Sequence, residues 1–122
     1  MRILVVDDDQ LVGEMVSAIL EDLGHQVLLA ENAVEAMEVL SQQADVELII
    51  SDLNMPLISG IELYRELKDQ GSKLPFILLT GDDPEPVLAQ EPTLAACLMK
   101  DFNMQDTLPS LIAAVMSAQR PL

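Results

Sequence analysis

The sequence predicts a doubly wound α/β domain, in which helices pack on both faces of a parallel sheet. Five short apolar runs alternate with segments whose apolar residues recur at helical spacing, and this alternation is typical of that class. The run at residues 46–50 is almost unbroken and rich in β-branched side chains, as expected for a strand buried on both faces. With 122 residues, half of them hydrophobic, the chain suits one such domain and is too short for two. We therefore expect a single domain over residues 1–122.

The first strand is expected over residues 3–6, and the following helix should begin at a cap provided by Asp8 or Asp9. Gly24 should end this helix, because glycine readily adopts the left-handed conformation required there. The apolar residues at helical spacing are expected to face the core: Leu11, Val12, Met15, Val16, Ile19 and Leu23.

Residues 27–30 predict the second strand, and Asn32 is a suitable N-cap for the second helix. The apolar side of that helix should consist of Val34, Met37, Val39 and Leu40. The third strand, at 46–50, ends in Ser51 and Asp52 and leads into a loop that carries Pro56 and Gly60. A third helix is expected from about residue 61 to 68, with Ile61, Leu63, Tyr64 and Leu67 on its apolar side.

The fourth strand is predicted at residues 76–80 and the fifth at 96–99. Between them, three prolines (Pro84, Pro86 and Pro92) each remove a backbone donor, and a proline inside a helix costs about 3 kcal/mol. The fourth helix should therefore be short or irregular, lying between residue 86 and residue 90 or slightly beyond. The last helix is expected from about 106 or 107 to 118, because Pro109 is acceptable only in a first turn. Its core-facing residues should be Leu108, Leu111, Ile112 and Val115.

The composition limits the partners that this chain can have. Six Lys and Arg stand against 21 Asp and Glu, which gives a formal net charge of -15. Such a charge opposes direct binding to nucleic acid or to an anionic membrane surface, since both need clustered cations. A cation, or a protein with a basic docking surface, fits better.

The cellular compartment is predicted to be the cytoplasm. The single Cys97 cannot form an internal disulfide, and no apolar run approaches the roughly 20 residues of a membrane helix. The amino terminus enters a short strand and then three aspartates, a pattern unlike a signal peptide.

Polar residues follow four of the five predicted strands, and the carboxyl ends of parallel strands meet at one edge of the sheet. They are Asp7, Asp8 and Asp9 after the first strand, Asp52 after the third, Thr80 at the end of the fourth and Lys100 after the fifth. Carboxylates about 4 Å apart repel by roughly 1 kcal/mol in water and by several-fold more at a protein-like dielectric. A hard divalent cation relieves this repulsion, and Mg²⁺ is the natural candidate. Asp52 would then be a carboxylate nucleophile, with Lys100 and Thr80 placed to contact phosphoryl oxygens.

Each of these residues also has a purely structural interpretation. Asp52 could cap a turn, Thr80 could be an ordinary strand terminus, and Lys100 could be a solubilising charge at an edge. The triple aspartate suits the N-terminus of a helix, where negative charge interacts favourably with the helix dipole. The expected convergence on one edge favours the functional interpretation.

Four motifs together closely resemble the receiver domain of two-component response regulators. They are V-V-D-D-D, S-D-L-N-M-P-L-I-S-G, L-L-T-G, and a last strand that ends in Lys100. The resemblance covers the whole chain and implies a flavodoxin-like, CheY-like sheet of order 2-1-3-4-5. It also implies that helices 1 and 5 lie on one face of the sheet and helices 2, 3 and 4 on the other.

The resemblance further implies a role for each matched residue. Asp52 corresponds to the phosphoacceptor, Thr80 to the switch hydroxyl and Lys100 to the lysine that pairs with the phosphoryl group. Asp7 and Asp8 correspond to the acidic pair that binds Mg²⁺ together with Asp52 and the main-chain carbonyl of Asn54. Asp9 is expected to be a cap or a rim charge and not a ligand. The donor would be a histidine kinase or a histidine phosphotransfer protein, and the domain would promote only its own phosphorylation and dephosphorylation.

Three departures from the family pattern affect the region that usually transmits the signal. Asp101 replaces the usual proline after the lysine and precedes Phe102, Cys97 stands where an aromatic residue is common, and the fourth helix is interrupted by prolines. Because a non-proline cis bond costs about 2.5–4 kcal/mol, the bond between Lys100 and Asp101 is predicted to be trans. Cys97 is expected to stay in the core, and phosphorylation should shift this face only modestly.

Three other functions stay open at this point. The chain could be an adaptor that works without phosphorylation, or a Mg²⁺-dependent phosphatase that uses the Asp7-x-Asp9 spacing. A flavin-binding domain of similar topology is disfavoured, because the phosphate loop is missing and the crevice is lined by carboxylates.

Overall fold

The computed structural model describes residues 1–101 and 103–119 and shows a five-stranded parallel sheet of order β2-β1-β3-β4-β5. The predicted fold class and strand order are confirmed. In chain order the elements are β1 (Arg2–Val6), α1 (Gln10–Asp22), β2 (Gln26–Ala30), α2 (Ala33–Gln42), β3 (Val46–Asp52), α3 (Gly60–Asp69), β4 (Phe76–Thr80), α4 (Glu85–Gln90), β5 (Ala96–Met99) and α5 (Met104–Gln119).

Two hydrophobic cores lie on opposite faces of the sheet. Helices α2, α3 and α4 cover one face, and α1 and α5 cover the other, as the resemblance implied. Strand β3 is the central strand, and six of its seven residues are buried. Its carboxyl end, where Asp52 lies, is therefore held by packing from both faces.

The predicted core-facing side of α1 is wrong in part. Leu11, Met15 and Leu23 are 78%, 46% and 45% exposed and face away from the core. The other three predicted residues do contact the core, since Val16 is buried and Val12 and Ile19 pack against it. The buried side of α1 consists of Gly13, Val16, Ser17 and Leu20. Small residues allow the helix to lie close to the sheet: a Cβ added at Gly13 would already be 3.5 Å from the side chain of Leu29. Hydrophobicity alone cannot reveal a buried face that is built partly from glycine and serine.

The same physical reason explains a smaller error in α2. Val34, predicted on the apolar side, is 54% exposed, whereas Ala33 and Ala36 are buried against the sheet. Met37, Val39 and Leu40 pack at the edge of the core as expected. The predicted cap is present, since the side chain of Asn32 accepts a hydrogen bond from the Glu35 N–H.

Most of the elements predicted in the carboxyl-terminal third of the chain are confirmed. The bounds of β4 and β5 agree with the prediction, and α4 is a six-residue helix. However, α5 begins at Met104, which makes Pro109 its sixth residue and contradicts the prediction that Pro109 lies in the first turn. Met104 and Leu108 are both buried on one side of α5, and packing of this early turn outweighs the single helical hydrogen bond that Pro109 cannot donate.

Two further expectations concern the chain around β5. No peptide bond in residues 1–101 and 103–119 is cis, so the bond between Lys100 and Asp101 is trans as predicted. Cys97 is half-buried and packs against the core beneath α2–α4, and burial raises the pKa of its thiol. Phe102, which the family comparison singled out, lies outside the described residues.

Candidate functional site

Asp52 ends β3 at the carboxyl edge of the sheet and is only 6% exposed. The register places Val6 beside Ser51 and Leu79 beside Asp52, so the residues that follow β1 and β3 are neighbours. The chain then turns sharply back, and the Gly60 N–H donates to the Leu53 carbonyl at 2.8 Å. A Cβ at Gly60 would lie 2.3 Å from the Asp52 carbonyl oxygen, so only glycine allows this turn. The close approach holds the loop against the end of β3.

The three consecutive aspartates after β1 have three different environments. Asp7 is 5% exposed, and its Oδ1 accepts a hydrogen bond of 2.9 Å from the Asp9 N–H. Asp8 is exposed. The Asp9 side chain accepts from the N–H groups of Leu11 at 3.0 Å and Val12 at 3.3 Å, which makes it the N-cap of α1, one of the two roles expected for it. The Asp7 carboxylate is therefore buried, Asp8 is exposed to solvent, and the Asp9 carboxylate caps α1.

Lys100 links the carboxylates of β1 and β3. Its Nζ lies 2.8 Å from Asp52 Oδ1 and 3.3 Å from Asp7 Oδ2, and its side chain is 21% exposed. The strand register explains why the Lys100 side chain can contact both carboxylates. Thr80 pairs with Met99, and the Lys100 N–H donates to the Thr80 carbonyl at 2.7 Å, which places Lys100 at the carboxyl edge of the sheet. Asp7, Asp52 and Lys100 are thus brought together although they are far apart in the chain.

The charges in this cluster shift the pKa values of Asp7 and Lys100. Burial raises the pKa of Asp7, and the nearby charge of Asp52 adds to the rise, against the lowering by the Asp9 N–H and Lys100. Burial alone would lower the pKa of Lys100, but the hydrogen bond to Asp52 and the charges of both carboxylates outweigh it and raise this pKa. Lys100 is therefore a cation that neutralises part of the negative charge at this edge.

The remaining predicted site residues also lie at this edge. Thr80 ends β4 and is 1% exposed, and its Oγ1 accepts a hydrogen bond of 3.1 Å from the Asp82 N–H. Within residues 1–101 and 103–119, no acceptor pairs with the Thr80 hydroxyl proton, so this proton can be donated to a ligand. Asn54 is exposed two residues after Asp52 in the connection to α3.

The cluster has the donor set that Mg²⁺ requires. Asp7, Asp8 and Asp52 each offer a carboxylate oxygen, and these atoms lie within 4.8 Å of one another. Octahedral Mg²⁺ with ligands at 2.0–2.1 Å places opposite ligand atoms about 4 Å apart, so the three groups need only small adjustments. Three carboxylates and one lysine give the cluster a formal net charge of -2, which a divalent cation neutralises. Asp8 is exposed, so water can complete the coordination.

We expect Mg²⁺ to raise the melting temperature of this protein, because it relieves carboxylate repulsion and binds only the folded cluster. At ten times Kd, linkage gives about 1.4 kcal/mol of added stability, or roughly 5 °C for a domain of this size. Differential scanning fluorimetry across a MgCl₂ titration would measure it, with NaCl at equal ionic strength as the control. Asp8→Asn should reduce the effect. A melting temperature unchanged by Mg²⁺ beyond the NaCl response would contradict the metal site.

The rim of the site includes a backbone conformation that the sequence does not predict. Leu57 is fully exposed and has a φ of +69°, in the left-handed region that residues other than glycine rarely occupy. Leu11, 78% exposed, lies on the first turn of α1 at the same carboxyl edge of the sheet. The only local signal for the Leu57 conformation is its place between Pro56 and Gly60, and that pattern does not specify a positive φ.

The family model for the response regulator receiver domain matches residues 3–112. A transcriptional regulatory protein CpxR homolog of Haemophilus influenzae is 33% identical over 98% of this chain and 52% of its own length. The response regulator MprA of Mycobacterium avium is 35% identical over 93% of this chain and 50% of its own. The chain thus spans about half the length of these relatives. Among solved structures, the response regulator TrrA of Thermotoga maritima in complex with Mg²⁺ and BeF has a TM-score of 0.83 at 30% identity, covering 93% of this chain and 97% of that one.

Proposed function

The chain belongs to the family of response regulator receiver domains, and from this we propose that it accepts a phosphoryl group on Asp52 with the help of Mg²⁺. The donor is a phosphohistidine of a histidine kinase or a histidine phosphotransfer protein, and the modification changes the affinity for a downstream protein. The observation that carries the proposal is the pairing of Lys100 with both Asp52 and Asp7, beside an exposed Asp8, at the carboxyl edge of a parallel sheet.

In the proposed reaction, a carboxylate oxygen of Asp52 attacks the phosphorus atom, the new P–O bond forms and the P–N bond to histidine breaks. The imidazole leaves with the electron pair of that bond. Lys100 exchanges part of its contact with Asp52 for a phosphoryl oxygen, and the Thr80 hydroxyl donates to another. Bound Mg²⁺ supplies charge neutralisation for the phosphoryl oxygens. Asp7, Asp8, Asp52 and the carbonyl of Asn54 are the groups that would hold it.

The surface around the site supports a protein donor. Asp8 is exposed at the edge of the sheet where Asp52 lies, and Leu11 and Leu57 are exposed at the same edge, so a phosphohistidine on another protein can approach from this side. The net charge of -15 further favours a donor with basic residues around its histidine.

The absence of direct nucleic-acid binding is proposed only for this domain. One relative is named as a transcriptional regulatory protein, and this chain spans about half of its length, so that name does not conflict with an acidic receiver domain that leaves nucleic acid unbound. The described residues, 1–101 and 103–119, form no helix long and apolar enough to cross a membrane. A cytoplasmic location stays a prediction.

The position of Asp9 argues against the phosphatase alternative. That activity would use Asp7 and Asp9 as paired reactive carboxylates, but the Asp9 side chain caps α1. The adaptor alternative keeps the same geometry and differs only in whether Asp52 is modified.

Incubation with acetyl phosphate and Mg²⁺ tests the proposal against both alternatives. Intact-protein mass spectrometry should show the addition of one phosphoryl group per chain, with no label when EDTA is present. An adaptor would stay unlabelled under both conditions. A phosphatase would instead hydrolyse p-nitrophenyl phosphate over many turnovers, an activity that we expect this protein to lack.

A further inference from the structure

Side chains from α3 hold the segment that follows α4. Thr93 Oγ1 lies 2.7 Å from the Tyr64 hydroxyl, 2.8 Å from Lys68 Nζ and 3.1 Å from Glu91 Oε1. Arg65 Nε completes the group with an ion pair of 2.8 Å to Glu91 Oε2. The Thr93 hydroxyl can accept from Tyr64 and Lys68 while donating to Glu91, so all of its hydrogen-bonding capacity is used. We call these five residues (Tyr64, Arg65, Lys68, Glu91 and Thr93) the α3 latch.

Both sides of the α3 latch are anchored in the core. The Tyr64 ring is 8% exposed and packs on Phe76 with centroids 5.2 Å apart, and Lys68 Nζ lies 5.6 Å from the centre of the same ring. On the other side, Leu94 is 6% exposed, and the Ala95 N–H donates to the Phe76 carbonyl at 3.1 Å. The hydrogen bond from Arg65 holds the pKa of Glu91 below its usual value, so Glu91 carries the negative charge that this ion pair needs at neutral pH.

Among the described residues, no hydrogen bond or ion pair joins the segment before α4 to α3. The side chains here bond only to residues two apart, from Asp82 N–H to Thr80 Oγ1 and from Glu85 N–H to Asp83 Oδ1, and the Pro84 carbonyl accepts from the Leu88 N–H within α4. The first of these connects the hydroxyl proposed to contact the phosphoryl group directly to the residues leading into α4. A movement of Thr80 therefore reaches residues 81–84 first.

From this asymmetry we propose that the α3 latch fixes the carboxyl-terminal end of α4, so that phosphorylation rearranges residues 80–86 while residues 91–95 and β5 stay in place. The inference rests on the proposed function for its trigger, the phosphoryl group on Asp52. The α3 latch explains why phosphorylation is expected to shift the β5 face only modestly. Its side-chain hydrogen bonds and ion pair keep the structural change from passing beyond α4. Removing the latch should let the displacement continue to β5.

The test compares the wild type with Thr93→Val, which keeps the β-branched shape and removes all three contacts of the hydroxyl. Thr107→Val is the matched control, because it removes an exposed threonine hydroxyl that donates to the Asn103 carbonyl, just before α5, and not to the α3 latch. Amide NMR spectra are recorded with and without Mg²⁺ and beryllofluoride. In the wild type, shifts should concentrate at residues 52–60 and 80–86. In Thr93→Val they should extend to residues 91–99, and the control should match the wild type.

A second measurement does not depend on the ligand. Amide hydrogen exchange at Leu94 and Ala95 should be about fivefold faster in unliganded Thr93→Val than in the wild type, the effect of losing about one net hydrogen bond. Unchanged exchange there would overturn the latch. The latch would also be overturned by a second result in the wild type. In that result, the Gly60 amide shift shows that beryllofluoride has bound, and the chemical-shift changes at residues 91–99 are as large as those at 80–86. A silent Gly60 amide would instead overturn the proposed phosphorylation site, and the exchange result would still decide the latch.

Discussion

Replacing Asp52 with asparagine should abolish phosphorylation by acetyl phosphate and Mg²⁺. Asparagine has nearly the same shape but lacks the anionic oxygen that attacks phosphorus, and it removes one carboxylate from the candidate Mg²⁺ cluster. We expect a loss of at least about 1,000-fold in the labelling rate, the upper end of the range for removal of a single transition-state hydrogen bond, because the nucleophile itself is lost. Quantitative mass spectrometry over time would measure it.

Asp9→Asn is the matched control for this substitution. It makes the same chemical change two residues from Asp7, and asparagine caps a helix as well as aspartate does. Labelling of Asp9→Asn should stay within about threefold of the wild type, because the Asp9 side chain caps α1. If Asp52→Asn still took up one phosphoryl group per chain, the phosphoacceptor would have to be another residue, and Asp8 would be the next to examine.

Replacing Gly60 with alanine should destabilise the protein by about 3 kcal/mol or more, at the upper end of the cost of overpacking. The new Cβ would lie 2.3 Å from the Asp52 carbonyl oxygen, 2.6 Å from Leu78 Cδ2 and 3.1 Å from Leu53 Cα. Two of these three neighbours are backbone atoms at the strand end that carries Asp52, and they cannot move without distorting the site. Urea unfolding, with the midpoint and slope both fitted, would measure the loss.

Gly81→Ala provides the comparison. Nothing lies within 4 Å of a Cβ at Gly81, and its φ is outside the left-handed region. Alanine there should leave stability unchanged or raise it by about 0.4–1 kcal/mol, because it restricts the unfolded chain. Equal stability of the two variants would mean that the β3–α3 turn is more open than the structure shows.

Much of the fold follows from local patterns in the sequence. Strands buried on both faces must be apolar along their whole length, so β4 is recognisable at its correct bounds. The edge strand β5 is only partly buried, but it is a short apolar run and its predicted bounds are also correct. The caps Asp9 and Asn32 are equally local, since each bonds to N–H groups two or three residues away. In contrast, the buried faces of α1 and α2 depend on how closely each helix approaches the sheet. Gly13, Ser17 and Ala36 provide that approach without any hydrophobic signal.

Some features of the candidate site are likewise predictable from the sequence, and others depend on the tertiary structure. The sequence alone determined that Asp7, Asp8, Asp52, Thr80 and Lys100 meet at one edge, because parallel strands with helical crossovers bring their carboxyl ends together. Only the tertiary structure decided that Lys100 pairs with both Asp7 and Asp52, that Gly60 has no space for a side chain, and that α3 holds the segment after α4. These features are contacts between residues about 8 to 90 positions apart. Their distances depend on strand register and on the packing of whole helices, and no local pattern in the sequence encodes either.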